Sequence, residues 1–245
     1  MNKIRLMRSN SRHTVTSYSF AFMAMVFVQV FIVGCGENQA TSASSSKTSE
    51  STAKTDKPSA DKIIVFFGNS LTAGYGLKDD ESFPSILQDR IDSLELNYKV
   101  VNAGLSGETS AGGDRRIEWV LKQPMDIFVL ELGGNDMLRG TDPEATIKNL
   151  SSIIEKVREK NPNIPIVLAG MIAPPNMGQT YIDAFANIYP TLAKKYDLTL
   201  IPFFLEGVAG DPDLNLLDRI HPNAEGQKIV ANTVWKYLEP LLDKE

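Results

Sequence analysis

From residue 62 onward, short apolar runs alternate with longer stretches whose apolar residues recur at helical spacing. The runs are Ile63–Phe67, Tyr98–Val101, Ile127–Leu132, Ile164–Ala169 and Leu198–Phe203. Each is about five or six residues long and almost continuously apolar, the pattern of a strand covered on both faces. Between them, Ile147, Leu150, Ile153, Ile154 and Val157 share one face of a helix. Thr141-Asp142-Pro143-Glu144 ahead of that helix has capping-box spacing, with proline in the first turn. A last helix carries Ile229, Val230, Val234, Tyr237, Leu238 and Leu241. Such alternation predicts an α/β fold, a parallel sheet with helices on both faces. Pro202 in the last run suits an edge strand, because proline cannot donate to the ladder. No internal repeat is present.

The first 61 residues follow a different pattern. Lys3, Arg5, Arg8 and Arg12 precede an apolar stretch from Phe20 to Gly34 that only Gln29 interrupts, and no acid occurs before Glu37. A basic region followed by an apolar segment too short for a comfortable membrane span reads as an export signal over residues 1–34. The stretch ends Ile32-Val33-Gly34-Cys35, which resembles the lipobox of bacterial lipoproteins. That resemblance implies cleavage before Cys35 and lipid attachment to its thiol; the alternative is a plain signal peptide with an incidental cysteine. On the lipoprotein reading the protein is exported, membrane-anchored and periplasm-facing in a Gram-negative cell. Gly36, standing where aspartate retains inner-membrane lipoproteins, favours the outer membrane. Residues 36–61 are rich in Ser, Thr and Ala, with nothing both larger and more apolar than alanine except Pro58. Such a segment cannot bury enough surface to offset its ordering entropy. It reads as a tether with a reach of about 28 Å. The expected organisation is therefore a signal over 1–34, a lipidated tether over 35–61 and one domain over 62–245.

Charge narrows the partners. The whole chain carries a net −5, and removing residues 1–34 takes away four basic residues and no acid. An acidic body argues against nucleic acid and against docking on anionic lipid by charge alone. Cys35 is the single cysteine, so no disulfide forms within one chain.

The candidate chemistry follows the strands. Gly68-Asn69-Ser70-Leu71 follows the first run, and Gly104-Leu105-Ser106-Gly107-Glu108-Thr109 the second. Gly133-Gly134-Asn135-Asp136 follows the third, and Asp218-Arg219-Ile220-His221-Pro222 lies after the fifth. Each block taken singly has an ordinary structural reading. A serine after Gly-Asn caps a helix, a lone histidine before proline sits satisfied in a loop, Asp218 caps a helix, and paired glycines make a turn. Their joint occurrence at the carboxyl ends of strands, where open parallel sheets bind ligands, points to chemistry instead. His221 is the one histidine outside the export segment, which holds His13.

These blocks, in this order over nearly all of residues 62–243, resemble the SGNH or GDSL-type esterases and lipases. They are most like the bacterial periplasmic thioesterase, lysophospholipase and arylesterase branch. Gly68-Asn69-Ser70-Leu71-Thr72-Ala73-Gly74-Tyr75 is similar to the nucleophile block, with Asn69 where the family usually has aspartate. The resemblance implies a three-layer α/β/α sandwich with a five-stranded parallel sheet in flavodoxin-like order 2-1-3-4-5. It also implies that Ser70 is the nucleophile, His221 the base and Asp218 the group that orients the imidazole. The backbone N–H groups of Ser70 and Gly107 and the side-chain amide of Asn135 would form the oxyanion hole. Asp136 would brace its loop. Met137 and Leu138 either contact an acyl chain or simply pack. Expected substrates are small acyl esters, thioesters or lysophospholipids, hydrolysed through an acyl-enzyme by a monomer without cofactor or metal.

Two other readings on this topology are a carbohydrate acetylesterase and a lipid-anchored binding module without turnover. The chain keeps Ser70, Asn135 and His221, which a non-catalytic module would be expected to lose. Gly68–Gly76 is neither a P-loop nor a dinucleotide fingerprint, which argues against a nucleotide or flavin protein. With one histidine and no spare cysteine, a metal hydrolase would have carboxylates alone as ligands. The Gly-x-Ser-x-Gly elbow of α/β-hydrolases is absent.

Overall fold

The computed structural model describes residues 62–243. The proposed signal, Cys35 and the tether lie outside the described residues. In chain order the elements are β1 (Lys62–Gly68), α1 (Ser70–Ala73), α2 (Phe83–Ser93), β2 (Tyr98–Gly104), α3 (Ser110–Val120), β3 (Ile127–Glu131), α4 (Gly134–Leu138), α5 (Pro143–Lys160), β4 (Ile166–Ala169), α6 (Gln179–Ala186), α7 (Ile188–Tyr196), β5 (Thr199–Ile201) and α8 (Ala224–Leu238). All five strands are parallel and stand in the order β2-β1-β3-β4-β5. Helices α3 and α5 pack together, as do α2 and α8, giving the three-layer α/β/α arrangement.

Burial follows sheet position. Every residue of β3 and β4 is buried, as is β1 beyond its first two residues. The edge strands differ from the expectation of two covered faces. β2 is buried at Tyr98 alone, and β5 at Ile201 alone. An edge strand has one neighbour, so its outer flank meets solvent whatever its composition. Pro202 lies just past β5, at the edge of the sheet but beyond its ladder.

Phe83 of α2 bridges sheet and loop, edge-on to both Phe66 and Phe204 with ring centroids 5.3 Å away in each case. Such pairs add about 0.5–1.5 kcal/mol to the area they bury. Helix α5 buries Leu150, Ile153, Ile154 and Val157, with Ile147 half-buried. Its start corrects the capping-box expectation. Asp142, not Thr141, is the N-cap, and its Oδ1 accepts from Glu144 N at 3.1 Å. Thr141 N is already committed to Asp136 O at 2.9 Å, so the helix begins one residue later, at Pro143.

Candidate active site

Strand order reverses at β1, which has β2 on one side and β3 on the other. Gly68, the last residue of β1, stands level with Gly104 of β2 and Glu131 of β3. Three loops therefore leave the sheet side by side at its carboxyl edge.

The Ser70 loop is anchored on Glu131. This carboxylate is buried at the end of β3 and takes three hydrogen bonds from the loop. Asn69 Nδ2 donates to Oε1 at 2.7 Å, Asn69 N to Oε2 at 3.2 Å, and Thr72 Oγ1 to Oε2 at 2.8 Å. Burial pushes the Glu131 carboxyl up to about 7, although the bonds from Thr72 and Asn69 pull the other way. Gly68 is required by close approach, since a Cβ there would lie 2.0 Å from Thr72 Oγ1 and 2.6 Å from Glu131 Oε2. The other side-chain atom of Asn69, Oδ1, caps α1 by accepting from Leu71 N at 2.9 Å. Ser70 is thus the first residue of a short helix whose entry is held from both ends of one asparagine.

The His221 turn is built as a closed loop. Asn215 and Pro222 form an isolated antiparallel bridge, flanked by Leu216 N to His221 O at 2.7 Å and Asn223 N to Leu214 O at 2.9 Å. Within it Arg219 adopts φ 59°, a left-handed conformation uncommon outside glycine. That twist folds the turn back on Asp218, whose Oδ1 accepts from Ile220 N at 2.9 Å and His221 N at 3.0 Å. Asp218 Oδ2 lies 2.7 Å from His221 Nδ1, and His221 Nε2 lies 2.8 Å from Ser70 Oγ. Partial burial raises the Asp218 carboxyl, but the bonds from His221 and Ile220 outweigh it and hold the group down at about 2. An ionised Asp218 places the imidazole proton on Nδ1, which leaves Nε2 free to accept from the Ser70 hydroxyl.

Asn135 sits on α4, and its Nδ2 donates to Glu108 O at 3.0 Å, which leaves one amide hydrogen uncommitted. Asp136 is buried, and both its oxygens accept from Ser110, from N at 2.7 Å and from Oγ at 2.6 Å. It ties α4 to the start of α3. Gly107 has φ 81°, and no atom lies within 4 Å of where its Cβ would be, so its backbone is open to approach. Glu108 is held by a bidentate pair with Arg116.

Ser70, Asn135 and His221 share one cavity of about 360 Å³. Its walls are apolar: Met137 and Leu138 from α4, Met171 and Ile172 after β4, and Phe203 and Leu205 after β5. Met137 is also buried in the core, whereas Leu138 is half exposed. Gly107 lines not this cavity but a separate depression with Arg115, Arg116 and Arg139. Three contributors receive no role from the sequence, although Glu131 and Tyr75 fall inside the family blocks. Glu131 had a signal, being an acid that closes an otherwise apolar strand. Tyr75 ends the nucleophile block, but nothing local places its ring centroid 4.6 Å from that of His221, and the twist at Arg219 has no signal in the sequence.

A hydroxyl, an imidazole and a carboxylate joined in series beside an apolar cavity, at the switch point of a doubly wound sheet, define the class of serine hydrolases. A family model for the GDSL-like lipase/acylhydrolase family matches residues 66–229, and the chain belongs to that family. It is 39% identical to Esterase TesA of Pseudomonas aeruginosa over 184 residues, which cover 75% of this chain and 90% of that protein. It is 38% identical to thioesterase 1/protease 1/lysophospholipase L1 of Escherichia coli K12 over 192 residues, covering 78% of this chain and 90% of that one. Among solved structures, a crystal structure of TesA superposes with a TM-score of 0.71 at 38% identity, covering 74% of this chain and all of the other. The chain is accordingly a carboxylic ester hydrolase.

Proposed function

We propose that Ser70 is the nucleophile of an esterase and thioesterase that acts through an acyl-enzyme. The Ser70 hydroxyl gives its proton to His221 Nε2 as Oγ bonds to the carbonyl carbon of the substrate. Asp218 steadies the imidazolium that results. The carbonyl oxygen takes up negative charge facing the Asn135 amide and the Ser70 N–H, which share the cavity; the Gly107 N–H, which lines the neighbouring depression, is the third donor that the family resemblance implies. Collapse of this tetrahedral species breaks the bond to the leaving alcohol or thiol, which takes the proton back from His221. Water, deprotonated by the same imidazole, then frees the acid and restores Ser70.

The observation that carries this reading is the unbroken hydrogen-bonded series Ser70–His221–Asp218 opening on an apolar cavity. The apolar walls suit an acyl chain better than a sugar ring. Purified protein should hydrolyse p-nitrophenyl esters of short to medium acyl chains, and Ser70→Ala should lower kcat by about 10⁴-fold or more. Turnover surviving in that variant would remove Ser70 from the nucleophile role.

The same reading extends to location. The protein is an exported lipoprotein anchored through Cys35, with residues 36–61 as a tether to a hydrolase domain beginning near residue 62. What supports this is the basic-then-apolar segment ending Gly34-Cys35. Fractionation of cells making Cys35→Ala should find the enzyme released from the membrane pellet. Retention equal to the parent's would refute the anchor.

A further inference from the structure

Several exposed apolar side chains of this domain lie at or beside the mouth of the cleft, whereas Leu94, Leu105 and Trp119 line no part of it. Leu138, Ile172 and Ile220 line the cavity, yet each is about half exposed (52%, 52% and 45%). Tyr75, against His221, is half exposed too. Leu217, next to Asp218, is wholly exposed and lines no part of the cavity. Two exposed arginines flank this rim in sequence, Arg139 beside Leu138 and Arg219 beside Ile220. Arg139 donates to Gly107 O at 3.1 Å, and neither arginine is ion-paired among the described residues. Exposed apolar side chains gathered at a cavity mouth are a feature of interaction sites.

We propose that the cleft face docks on a zwitterionic phospholipid surface, with Tyr75, Leu138, Ile172, Leu217 and Ile220 entering the headgroup layer and Arg139 and Arg219 meeting phosphates. Two features select this occupant over a protein. Leu138, Ile172 and Ile220 are exposed and also line the apolar cavity, so an acyl chain leaving a lipid layer would pass from it directly into the site. Arginines around an apolar patch also match a layer that carries phosphates above acyl chains. The net acidic charge of the chain disfavours a strongly anionic surface and points to a zwitterionic one. The proposal rests on the acyl-hydrolase reading of the same cleft.

Leu217 permits a clean test because it lies outside the cavity. With full-length protein, Leu217→Ser should reduce hydrolysis of micellar lysophosphatidylcholine roughly tenfold, the loss expected when one buried leucine no longer enters lipid. Turnover of soluble p-nitrophenyl butyrate should stay within about twofold of the parent. A parent that fails on p-nitrophenyl butyrate would defeat the hydrolase reading itself. Unchanged micellar activity in Leu217→Ser, or an equal loss on monomeric and micellar lysolipid, would overturn the docking proposal alone. A second variant, Leu217→Trp, should show blue-shifted emission, relative to the parent, on adding phosphatidylcholine vesicles. An unshifted spectrum would overturn the docking proposal as well.

Discussion

Asn69 shows how much one atom can decide. Its Nδ2 donates to buried Glu131 at 2.7 Å, so the carboxylate is met by a donor. In Asn69→Asp a second carboxylate oxygen would occupy that position, and two carboxylates so close hold one proton between them. Glu131 alone, raised to about 7, already contributes stability that is full below its ordinary value near 4.5 and is lost as pH rises through 7. The Asn69→Asp pair would bind its proton more tightly, so the loss should steepen. We expect Asn69→Asp to resemble the parent near pH 5 and to lose on the order of 1–3 kcal/mol by pH 8. Parallel unfolding curves across that range would contradict the shared proton. A second test at this scale concerns Asn135. Asn135→Ala removes a neutral donor whose bond strengthens as charge develops, so kcat should fall about 10²–10³-fold with little change in KM. A change confined to KM would place Asn135 in substrate binding instead.

Among the elements, the segment from Leu214 to Asn223 has the greatest leverage on the site. Its bridge and the Arg219 twist aim Asp218 and His221, and Asn223 joins it to α8. Asn223 Oδ1 accepts from Glu225 N and Gly226 N, both at 3.0 Å, and its Nδ2 donates to Asp213 O at 2.8 Å. Asn223→Ala removes an N-cap and should cost about 0.5–2 kcal/mol in denaturant unfolding. It should also lower kcat, because the His221 turn loses its tie to the helix; unimpaired activity would mean that the bridge alone holds the turn. Elements of this kind differ in how far they can be read from residues. Strand β3 is legible from the nearly continuous apolar run Ile127–Leu132, and all five residues of the strand are buried. Capping-box spacing starts α5 one residue early, at a Thr141 cap, because Thr141 N is claimed by Asp136 O, a bond no local pattern announces. The exposure of β2 followed from its place at the edge and not from Tyr98–Val101 being apolar.

Taken whole, the molecule keeps its sheet, core and Ser70–His221–Asp218 series within the described residues 62–243. Deleting residues 1–61 should therefore leave thermal unfolding cooperative and kcat/KM for a soluble p-nitrophenyl ester within about twofold of the parent. A broad, non-cooperative transition would mean that the leading segment contributes to the core. The proposed docking of the cleft face and the proposed anchor would act together, one orienting the domain on lipid and the other keeping it nearby. Anchoring by two independent contacts raises the local concentration of each.

Apolar patterning alone was enough to specify five strands, the two covering helices α5 and α8, and the loops after the strands, because burial leaves a local imprint on composition. The chemical blocks, and the reactive groups they carry, were equally plain as residue types in order. What periodicity could not convey was distance. Ser70 and His221 are 151 residues apart, and their 2.8 Å contact exists because β1 sits at the reversal of strand order and a twisted turn delivers the imidazole ring to that point. The same holds for Glu131 under Asn69 and for the apolar rim, since pairings across strands and the exposure of a side chain depend on which neighbours folding brings, and those are not encoded in any one segment.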